Sequence, residues 1–512
     1  MALARAQAVA VLGVEGHMVE VEADLADGLP RLTLIGLPDA VLHESRDRIH
    51  AAVVNSGQCW PNRRITLGLF PATLPKAGSG FDLAMAVAVL AAAAVVPPDS
   101  LLRRVFIGEL ALDGRVRAVR GVLPAVLRAA AAGVERVVVP AANAAEAALV
   151  PGARIEPAID LAGVLAVLRG DAAPPEVAGP AHVAPAPTGE TSVDLADVAG
   201  QARGRLAVEV AAAGGHHLFM QGPPGSGKTM LADRLPGLLP MLDTDASLEV
   251  TAVHSVAGLL PIDGPLVTRP PYRSPHHSAT PAALVGSGSA VIRPGLASQA
   301  HRGILFLDEA PEFARQSLDA LRQPMESGTI EVARARATAR FPARFQLILA
   351  ANPCPCAKAR GPRATGCECP SLVRRRYLAR LSGPLLDRID IQVALSAPSR
   401  AELKADLGRS DTSAQVATRV AEARAQSGNR LAATPWRVNA EVPGSALRRL
   451  WPLPTSVTAM AERAFDAGLL TARGLDRVHR LAWTFADLAG RASPGPEQFG
   501  AALDLRLPGW AA

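Results

Sequence analysis

The octapeptide Gly-Pro-Pro-Gly-Ser-Gly-Lys-Thr at residues 222–229 constrains the fold more than any other segment. It fits G-x-x-x-x-G-K-[ST], in which the backbone N–H groups of a glycine-rich turn surround nucleotide phosphates at the start of a helix. An apolar run ending at Gln221 precedes it, and a helical pattern from Met230 follows. The alternative is a glycine turn with an incidental surface lysine. We predict a nucleotide-binding loop formed by Gly222, Pro223, Pro224, Gly225, Ser226, Gly227, Lys228 and Thr229.

A second motif predicts hydrolysis. The apolar run Ile304–Leu307 reads as a buried parallel strand, and it ends in Asp308 and Glu309. At that position Asp308 can hold Mg²⁺ beside Thr229, and Glu309 can orient or deprotonate the attacking water. Without the phosphate loop, the same pattern would simply be a strand entering a polar loop. The two motifs together predict an enzyme that hydrolyses a nucleotide with the help of Mg²⁺.

Length and composition favour a cytoplasmic machine of several domains. A chain of 512 residues predicts several cores. Its longest uncharged apolar run, Leu83 to Val96, is shorter than the roughly 20 residues of a membrane helix, so we expect no membrane partner. The N-terminus makes a poor signal peptide, and the clustered cysteines do not suit an extracellular disulfide framework. The net charge of +6 permits nucleic-acid binding without proving it.

Changes in pattern along the chain predict a multidomain α/β protein. Short strands and alanine-rich helices mix in 1–168, which predicts an α+β domain. A Pro/Ala-rich stretch without apolar periodicity marks 169–191 as a linker. Strands and helices alternate in 192–395, as in a parallel sheet, and 396–512 reads as a helical lid.

Two further residues fall near the predicted nucleotide. The apolar strand Phe345–Ala350 leads to Asn352, which can hold the attacking water or sense the γ-phosphate; the alternative is an Asn-Pro turn. Arg388 can reach the γ-phosphate of a neighbouring subunit and stabilise transition-state charge, so hydrolysis would require an oligomer. The alternative for Arg388 is an ion pair with Asp387 or Asp390.

These motifs carry a family resemblance. Five segments follow one another along the chain: GPPGSGKT, ILFLDEAPEF, LILAANPCPC, SGPLLDRIDI and TARGLDRVHRLA. In this order they resemble the magnesium-chelatase-like AAA+ ATPases, and within them the ComM/YifB family. The segment 273–288, RSPHHSATPAALVGSG, is a further signature of that branch, and the resemblance covers essentially the whole chain.

The resemblance implies an AAA+ core with a helical lid, built into homo-hexameric, ATP-driven DNA helicases or branch-migration factors of natural transformation. Single-stranded or branched DNA would be the partner. By position, the family's roles fall on Lys228 and Thr229 (Walker A), Asp308 and Glu309 (Walker B), Asn352 (sensor 1), Arg388 (trans-acting finger) and Arg473 (sensor 2).

The N-terminal part resembles the Lon proteolytic domain, a ribosomal S5-like fold, but departs from it at the catalytic positions. The serine position falls at Gly80, with Ser79 one residue early, and the lysine position falls at Leu123. A Ser–Lys dyad needs an amine within hydrogen-bond reach of the hydroxyl, and Lys76 is the single lysine of residues 1–168. We expect a proteolytically inactive domain that binds DNA or contributes to assembly.

A basic hairpin is the candidate DNA contact. Residues 327–342 read as a hairpin that places Val332, Arg334 and Arg336 on one face. In a hexamer pore the two arginines can contact phosphates with little sequence preference. A solvated basic hairpin is the alternative. The run Arg374–Arg376 reads as merely exposed.

The cysteine cluster raises a separate question. Four thiolates suit tetrahedral zinc, although C-x-C pairs are less usual than C-x-x-C pairs. Reduced thiols are the alternative, and His276 and His277 are expected to couple nucleotide to DNA or a neighbour rather than to bind metal. The candidate zinc ligands are Cys354, Cys356, Cys367 and Cys369.

Three function classes remain. The leading one is a DNA-translocating ATPase. The second is a chelatase-type remodelling ATPase acting on a protein or metal-insertion partner, which would need a partner subunit with a metal-ion-dependent adhesion domain. Gly80 and Leu123 argue against the third, an ATP-dependent protease.

Overall fold

The computed structural model describes three groups of elements that follow one another along the chain: a mixed sheet with helices, a parallel sheet with helices, and a set of helices alone. The described residues are 2–36, 39–76, 78–176, 193–261, 266–288, 292–334, 337–356, 367–406 and 410–507.

In the first group, the described strands form a sheet in the order β3-β4-β2-β1-β5-β8-β9. Its strands, with a separate β6–β7 pair, are β1 (Ala2–Leu12), β2 (Glu15–Ala26), β3 (Arg31–Ile35), β4 (Arg64–Phe70), β5 (Arg104–Phe106), β6 (Glu109–Leu110), β7 (Val116–Arg117), β8 (Arg136–Pro140) and β9 (Arg154–Ala158). The helices are α1 (Asp39–Asn55), α2 (Asp82–Ala92), α3 (Val122–Ala131), α4 (Ala144–Ala147) and α5 (Leu161–Arg169). Every residue of α2 is buried, which explains its almost wholly apolar sequence.

The second group is built on a parallel sheet in the order β11-β14-β17-β10-β18. Its strands, with the β12–β13 and β15–β16 hairpins, are β10 (Leu218–Gln221), β11 (Tyr272–Arg273), β12 (Gly286–Ser287), β13 (Arg293–Pro294), β14 (Ile304–Leu307), β15 (Thr329–Arg334), β16 (Ala337–Pro342), β17 (Gln346–Ala351) and β18 (Ile391–Ala394). The helices are α6 (Ala202–Gly214), α7 (Lys228–Arg234), α8 (Thr244–Ala257), α9 (Pro281–Val285), α10 (Leu296–Gln299), α11 (Arg315–Asp319), α12 (Arg322–Ser327), α13 (Ser371–Leu378) and α14 (Gly383–Leu386).

Burial on both faces explains why these strands are continuously apolar. Ile304 and Phe306 of β14 face one core cluster, shared with α6 and the C-terminal helices, whereas Leu305 and Leu307 face another, shared with the β15–β16 hairpin. Because β10, β14 and β17 run parallel and in register, their carboxyl ends meet at one edge of the sheet. The polar residues that follow each strand are thereby brought together.

The third group is helical, as predicted. Its long central helix α19 buries Val478, Leu481 and Ala482 in the cluster that covers the parallel sheet. No helix within the described ranges is long and apolar enough to cross a membrane. The helices are α15 (Arg400–Asp406), α16 (Ser413–Leu431), α17 (Gly444–Leu450), α18 (Thr455–Asp466), α19 (Ala472–Leu488) and α20 (Pro496–Arg506).

The N-terminal group docks on the parallel-sheet group at two places. Helix α3 packs against α8, and the hydroxyl of Ser255 on α8 donates a hydrogen bond to the Glu146 carboxylate. At the turn between β1 and β2, Gly13 lies against the backbone of Arg340 on β16, and Val14 packs against the apolar cluster of the hairpin. The β15–β16 hairpin is therefore held at its base by the N-terminal group.

Candidate nucleotide-binding and hydrolysis site

The glycine-rich loop follows β10 directly and leads into α7. Gly225 and Gly227 adopt positive φ angles of 76° and 83°, a left-handed conformation that favours glycine. At Gly222, a Cβ atom would lie 2.6 Å from the carbonyl oxygen of Leu395. The spacing of the glycines is thus set by the backbone path of the loop, which ends at the first turn of α7 as the sequence predicted.

Lys228 is buried at the centre of this site. Its Nζ donates hydrogen bonds to the carbonyl oxygens of Gly222 (2.8 Å) and Pro223 (3.0 Å) and to Oδ1 of Asn352 (3.1 Å). Burial lowers the pKa of Lys228, and the nearby carboxylates of Asp308 and Glu309 oppose that shift. The ammonium group is therefore held by acceptors from the loop and from the predicted sensor strand.

Asp308 lies beside the first residues of α7. The hydroxyl of Thr229 donates a hydrogen bond of 2.8 Å to its Oδ2, and the backbone N–H of Glu309 donates one of 2.8 Å to its Oδ1. Hydroxyl and carboxylate oxygens are the hard ligands that Mg²⁺ prefers. The donor set at Thr229 and Asp308 therefore fits the predicted magnesium site.

Glu309 has a strained backbone that the sequence did not reveal. Its φ of 49° and ψ of 41° place a non-glycine residue in the left-handed region. Such residues cost on the order of 1–3 kcal/mol and concentrate at functional sites. The conformation leaves the Glu309 side chain half-exposed, with Oε2 at 3.6 Å from Nδ1 of His277.

His277 is the site residue that sequence reasoning missed as a partner of Glu309. Strand β11 pairs in parallel with β14, so the segment that follows Arg273 emerges at the same edge as Asp308. The imidazole rings of His276 and His277 lie against each other, with centroids 4.0 Å apart and planes tilted by 35°. Strand β11 consists of Tyr272 and Arg273 alone, and a strand this short leaves no sequence pattern that would predict the contact.

Asn352 is buried, as expected for a residue at the end of a central strand. Strand β17 lies between β14 and β10, so Asn352 lies between Asp308 and the phosphate loop. The structure thus brings together five predicted residues: Lys228, Thr229, Asp308, Glu309 and Asn352.

Arg388 and Arg473 lie elsewhere. Both line a cavity of about 720 Å³ whose wall also contains His217 and Asp390, the residues just before β10 and β18. This cavity is at the amino ends of the strands, whereas the phosphate loop is at their carboxyl ends. The structure does not place either arginine beside the phosphate loop of its own chain.

Arg388 forms its ion pair with Glu326 and not with Asp387 or Asp390, the two partners considered from the sequence. Its Nη2 lies 2.5 Å from Oε1 of Glu326, and its Nη1 donates to the carbonyl oxygen of Pro384 at 2.7 Å. Asp390 is instead paired with Arg477 at 2.7 Å, and Asp387 lies 3.7 Å from the exposed Arg473. The neighbouring acids are close in sequence, but they face the C-terminal helices.

The candidate DNA hairpin forms between β14 and β17, as predicted. Val332 is buried, whereas Arg334 is exposed and donates from Nε to the carbonyl oxygen of Gly288 at 3.1 Å. Arg336 lies outside the described residues. The register pairs Glu331 with Arg340, and both are exposed on the face of the hairpin opposite to that of Val332 and Arg334.

The four clustered cysteines come together beyond the carboxyl end of β17, at the sheet edge that carries the phosphate loop. Sγ of Cys354 lies 3.0 Å from that of Cys356 and 3.2 Å from that of Cys367, and the four sulfurs, including Cys369, lie within 4.8 Å of one another. Burial and the neighbouring thiols raise the pKa of Cys354 to about 12.

In the N-terminal group, the residues at and near the positions of the Lon catalytic serine and lysine bond to other groups and not to each other. Leu123 is fully buried, and its backbone N–H donates to Glu146. The hydroxyl of Ser79 donates to Glu109, whereas Nζ of Lys76 donates to backbone carbonyl oxygens, including that of Leu74 at 3.1 Å.

Three family models match the chain. The model described as magnesium chelatase, subunit ChlI, matches residues 194–403. The model described as subunit ChlI of Mg-chelatase matches residues 21–143, and that of the ChlI C-terminal region matches residues 410–506. Together they cover most of the N-terminal group, the nucleotide site and the C-terminal helices.

Curated relatives match almost end to end. The chain is 53% identical over 509 residues to an uncharacterized protein of Mycobacterium tuberculosis, covering 99% of each chain. It is 40% identical over 488 residues to the uncharacterized protein YifB of Salmonella typhimurium, covering 95% of this chain and 94% of that one. It is 38% identical over 493 residues to the competence protein ComM of Haemophilus influenzae, covering 96% and 94%. The chain therefore belongs to the magnesium-chelatase-like ComM/YifB family of AAA+-type ATPases.

Proposed function

We propose that the chain is a cytoplasmic motor that couples Mg²⁺-dependent ATP hydrolysis to movement on single-stranded or branched DNA. The observation that carries the proposal is the convergence of Lys228, Thr229, Asp308, Glu309 and Asn352 at one edge of the parallel sheet. The DNA half rests on the basic hairpin between β14 and β17 and on similarity to a protein named for competence.

Each residue has a role that its position supports. Lys228 exchanges its loop carbonyl partners for phosphate oxygens of ATP, at the start of α7. Thr229 and Asp308 would hold Mg²⁺, which neutralises phosphate charge when bound. Glu309 accepts a proton from the water that attacks the γ-phosphorus, and Asn352 orients that water. The bond between the γ-phosphorus and the bridging oxygen breaks, releasing ADP and phosphate.

A ring of subunits completes the site in this proposal. Arg388 and Arg473 face a cavity at the sheet edge opposite their own phosphate loop. We assign Arg388 the role of contacting the γ-phosphate bound by a neighbouring subunit in a homo-hexamer. We assign Arg473 the role of the sensor 2 arginine of the helical lid. To reach that phosphate, Arg388 would have to leave Glu326.

The N-terminal group would serve assembly or DNA binding within a Lon-like fold without proteolysis. In support, the lysine position is the buried Leu123, and Ser79 donates to Glu109 rather than to an amine. Its contact with β16 places it directly against the candidate DNA hairpin. The predicted boundaries at 168, 191 and 395 stay predictions.

A chelatase-type remodelling ATPase is the second candidate, because the matching family models are described by a magnesium chelatase subunit. The test is ATP hydrolysis measured with and without single-stranded and branched DNA, with Lys228→Ala as the blank for contaminating ATPases. We expect stimulation by DNA together with ATP-dependent strand displacement. An ATP hydrolysis rate that DNA does not change, with no displacement of any branched substrate, would support the ATPase but reject the DNA motor.

A further inference from the structure

We propose that Cys354, Cys356, Cys367 and Cys369 bind one structural zinc ion. This site lies outside the ATPase chemistry. It is carried by the geometry of the sulfurs, which two chain segments bring within 4.8 Å of one another. In a tetrahedral site with zinc about 2.3 Å from each sulfur, the sulfurs lie about 3.8 Å apart. The four sulfurs here lie between 3.0 Å and 4.8 Å from one another, on either side of that value, so small side-chain shifts would place them around a single shared ion.

Competing explanations for the cluster fit less well. The distance of 3.0 Å between the sulfurs of Cys354 and Cys356 exceeds the bond length of about 2.05 Å in a disulfide, and the four cysteines form none among the described residues. An iron–sulfur cluster, which places several metal ions between its thiolates, needs more room than a single ion. Four thiolates in a tetrahedral arrangement leave no open position, so the ion would be structural rather than catalytic.

The site would fix the chain beside the catalytic edge. Cys354 is buried two residues after Asn352, and Cys369 lies two residues before α13. Just beyond α13, Arg380 donates from Nη1 to the carbonyl oxygen of Pro311 and to Glu312, both at 3.1 Å, in the segment that follows Glu309. The ion would therefore tie the exit of β17 to the helix that supports the Glu309 segment.

The first experiment is elemental analysis of the purified full-length chain. We expect one zinc per chain, lost in Cys354→Ser and in Cys369→Ser. Cys59→Ser is the matched control, because Cys59 is the exposed cysteine of the N-terminal group, and this variant should keep its zinc. Circular dichroism reports whether each variant is folded.

A second measurement needs no variant. Titrating the native chain with a mercurial in the presence of a zinc indicator should release zinc in proportion to the cysteines modified, and cobalt exchanged into the site should show thiolate-to-cobalt charge-transfer absorption. Absence of stoichiometric metal, iron in place of zinc, or equal metal loss in Cys59→Ser would overturn the proposal. Metal content is independent of ATP turnover, so this outcome is separable from failure of the proposed motor.

Discussion

The contact between Gly13 and the β15–β16 hairpin makes a quantitative prediction for Gly13→Ala. Gly13 has a φ of 65°, and an added Cβ would overlap the carbonyl oxygen of Arg340 and lie 3.0 Å from its backbone nitrogen. Neither atom can rotate away, because both belong to the backbone of β16. The turn between β1 and β2 must therefore withdraw, and it takes the half-buried Val14 out of the apolar cluster of the hairpin.

Two free-energy terms separate this variant from its control. A left-handed alanine costs about 1–2 kcal/mol wherever it stands. Withdrawing Val14 adds about 1 kcal/mol, roughly half of the value for fully burying such a side chain. Gly133→Ala is the control, since Gly133 has a φ of 74° and nothing within 4 Å of an added Cβ. The control therefore carries the strain without the loss of docking.

Hydrogen exchange followed by mass spectrometry measures the difference. In peptides that span β15 and β16, Gly13→Ala should speed amide exchange by about fivefold, which corresponds to about 1 kcal/mol of lost docking. Gly133→Ala should leave these peptides at the parental rate. Equal exchange of the hairpin in both variants would show that the N-terminal group does not hold it.

Three further predictions concern the proposed motor. Glu309→Gln should bind ATP but lose turnover, because an amide cannot accept the proton of water; turnover at the parental rate would remove Glu309 from catalysis. Mixing Arg388→Ala with Lys228→Ala subunits should restore some ATPase at mixed interfaces, and continued inactivity in mixtures shown to co-assemble would reject the assignment in trans. Replacing Arg334 and Arg336 with alanine should weaken DNA binding at all sequences and flatten its salt dependence by about one unit of slope per lost phosphate contact, with strand displacement falling further than basal ATPase. Unchanged DNA binding and unwinding at several salt concentrations would instead point to the N-terminal group.

The convergence at the catalytic edge was predictable because it depends on one rule about parallel sheets. Each apolar run ends in a polar residue, and the carboxyl ends of parallel strands share an edge. Once the phosphate loop fixes β10, Asp308 and Asn352 must follow strands of the same sheet, and the order β14-β17-β10 places both beside Lys228. Spacing along the chain does not enter this argument, so the long segment between the first two motifs does not weaken it.

Contacts between distant segments without a repeating pattern were not predictable. The left-handed backbone of Glu309 leaves no mark on composition, and its approach to His277 depends on the two-residue strand β11. The partner of Arg388 is Glu326 on α12, although two acids adjacent in sequence were the obvious choices. The docking of Gly13 on Arg340 joins two hairpins whose sequences give no sign of each other.

The position of Arg388 and Arg473 supports the proposal that hydrolysis needs more than one subunit. The strands that separate their cavity from the phosphate loop have four to six residues, so at about 3.3 Å per residue the two edges lie about 13 Å or more apart. Arg388 is also held by Glu326 and Pro384, on the side away from its own Lys228. An arginine at the opposite edge can stabilise phosphoryl transfer only on a nucleotide that faces that edge from outside. A neighbouring copy of the chain, presenting its phosphate loop to this cavity, meets that requirement, and this is the physical basis for proposing a ring.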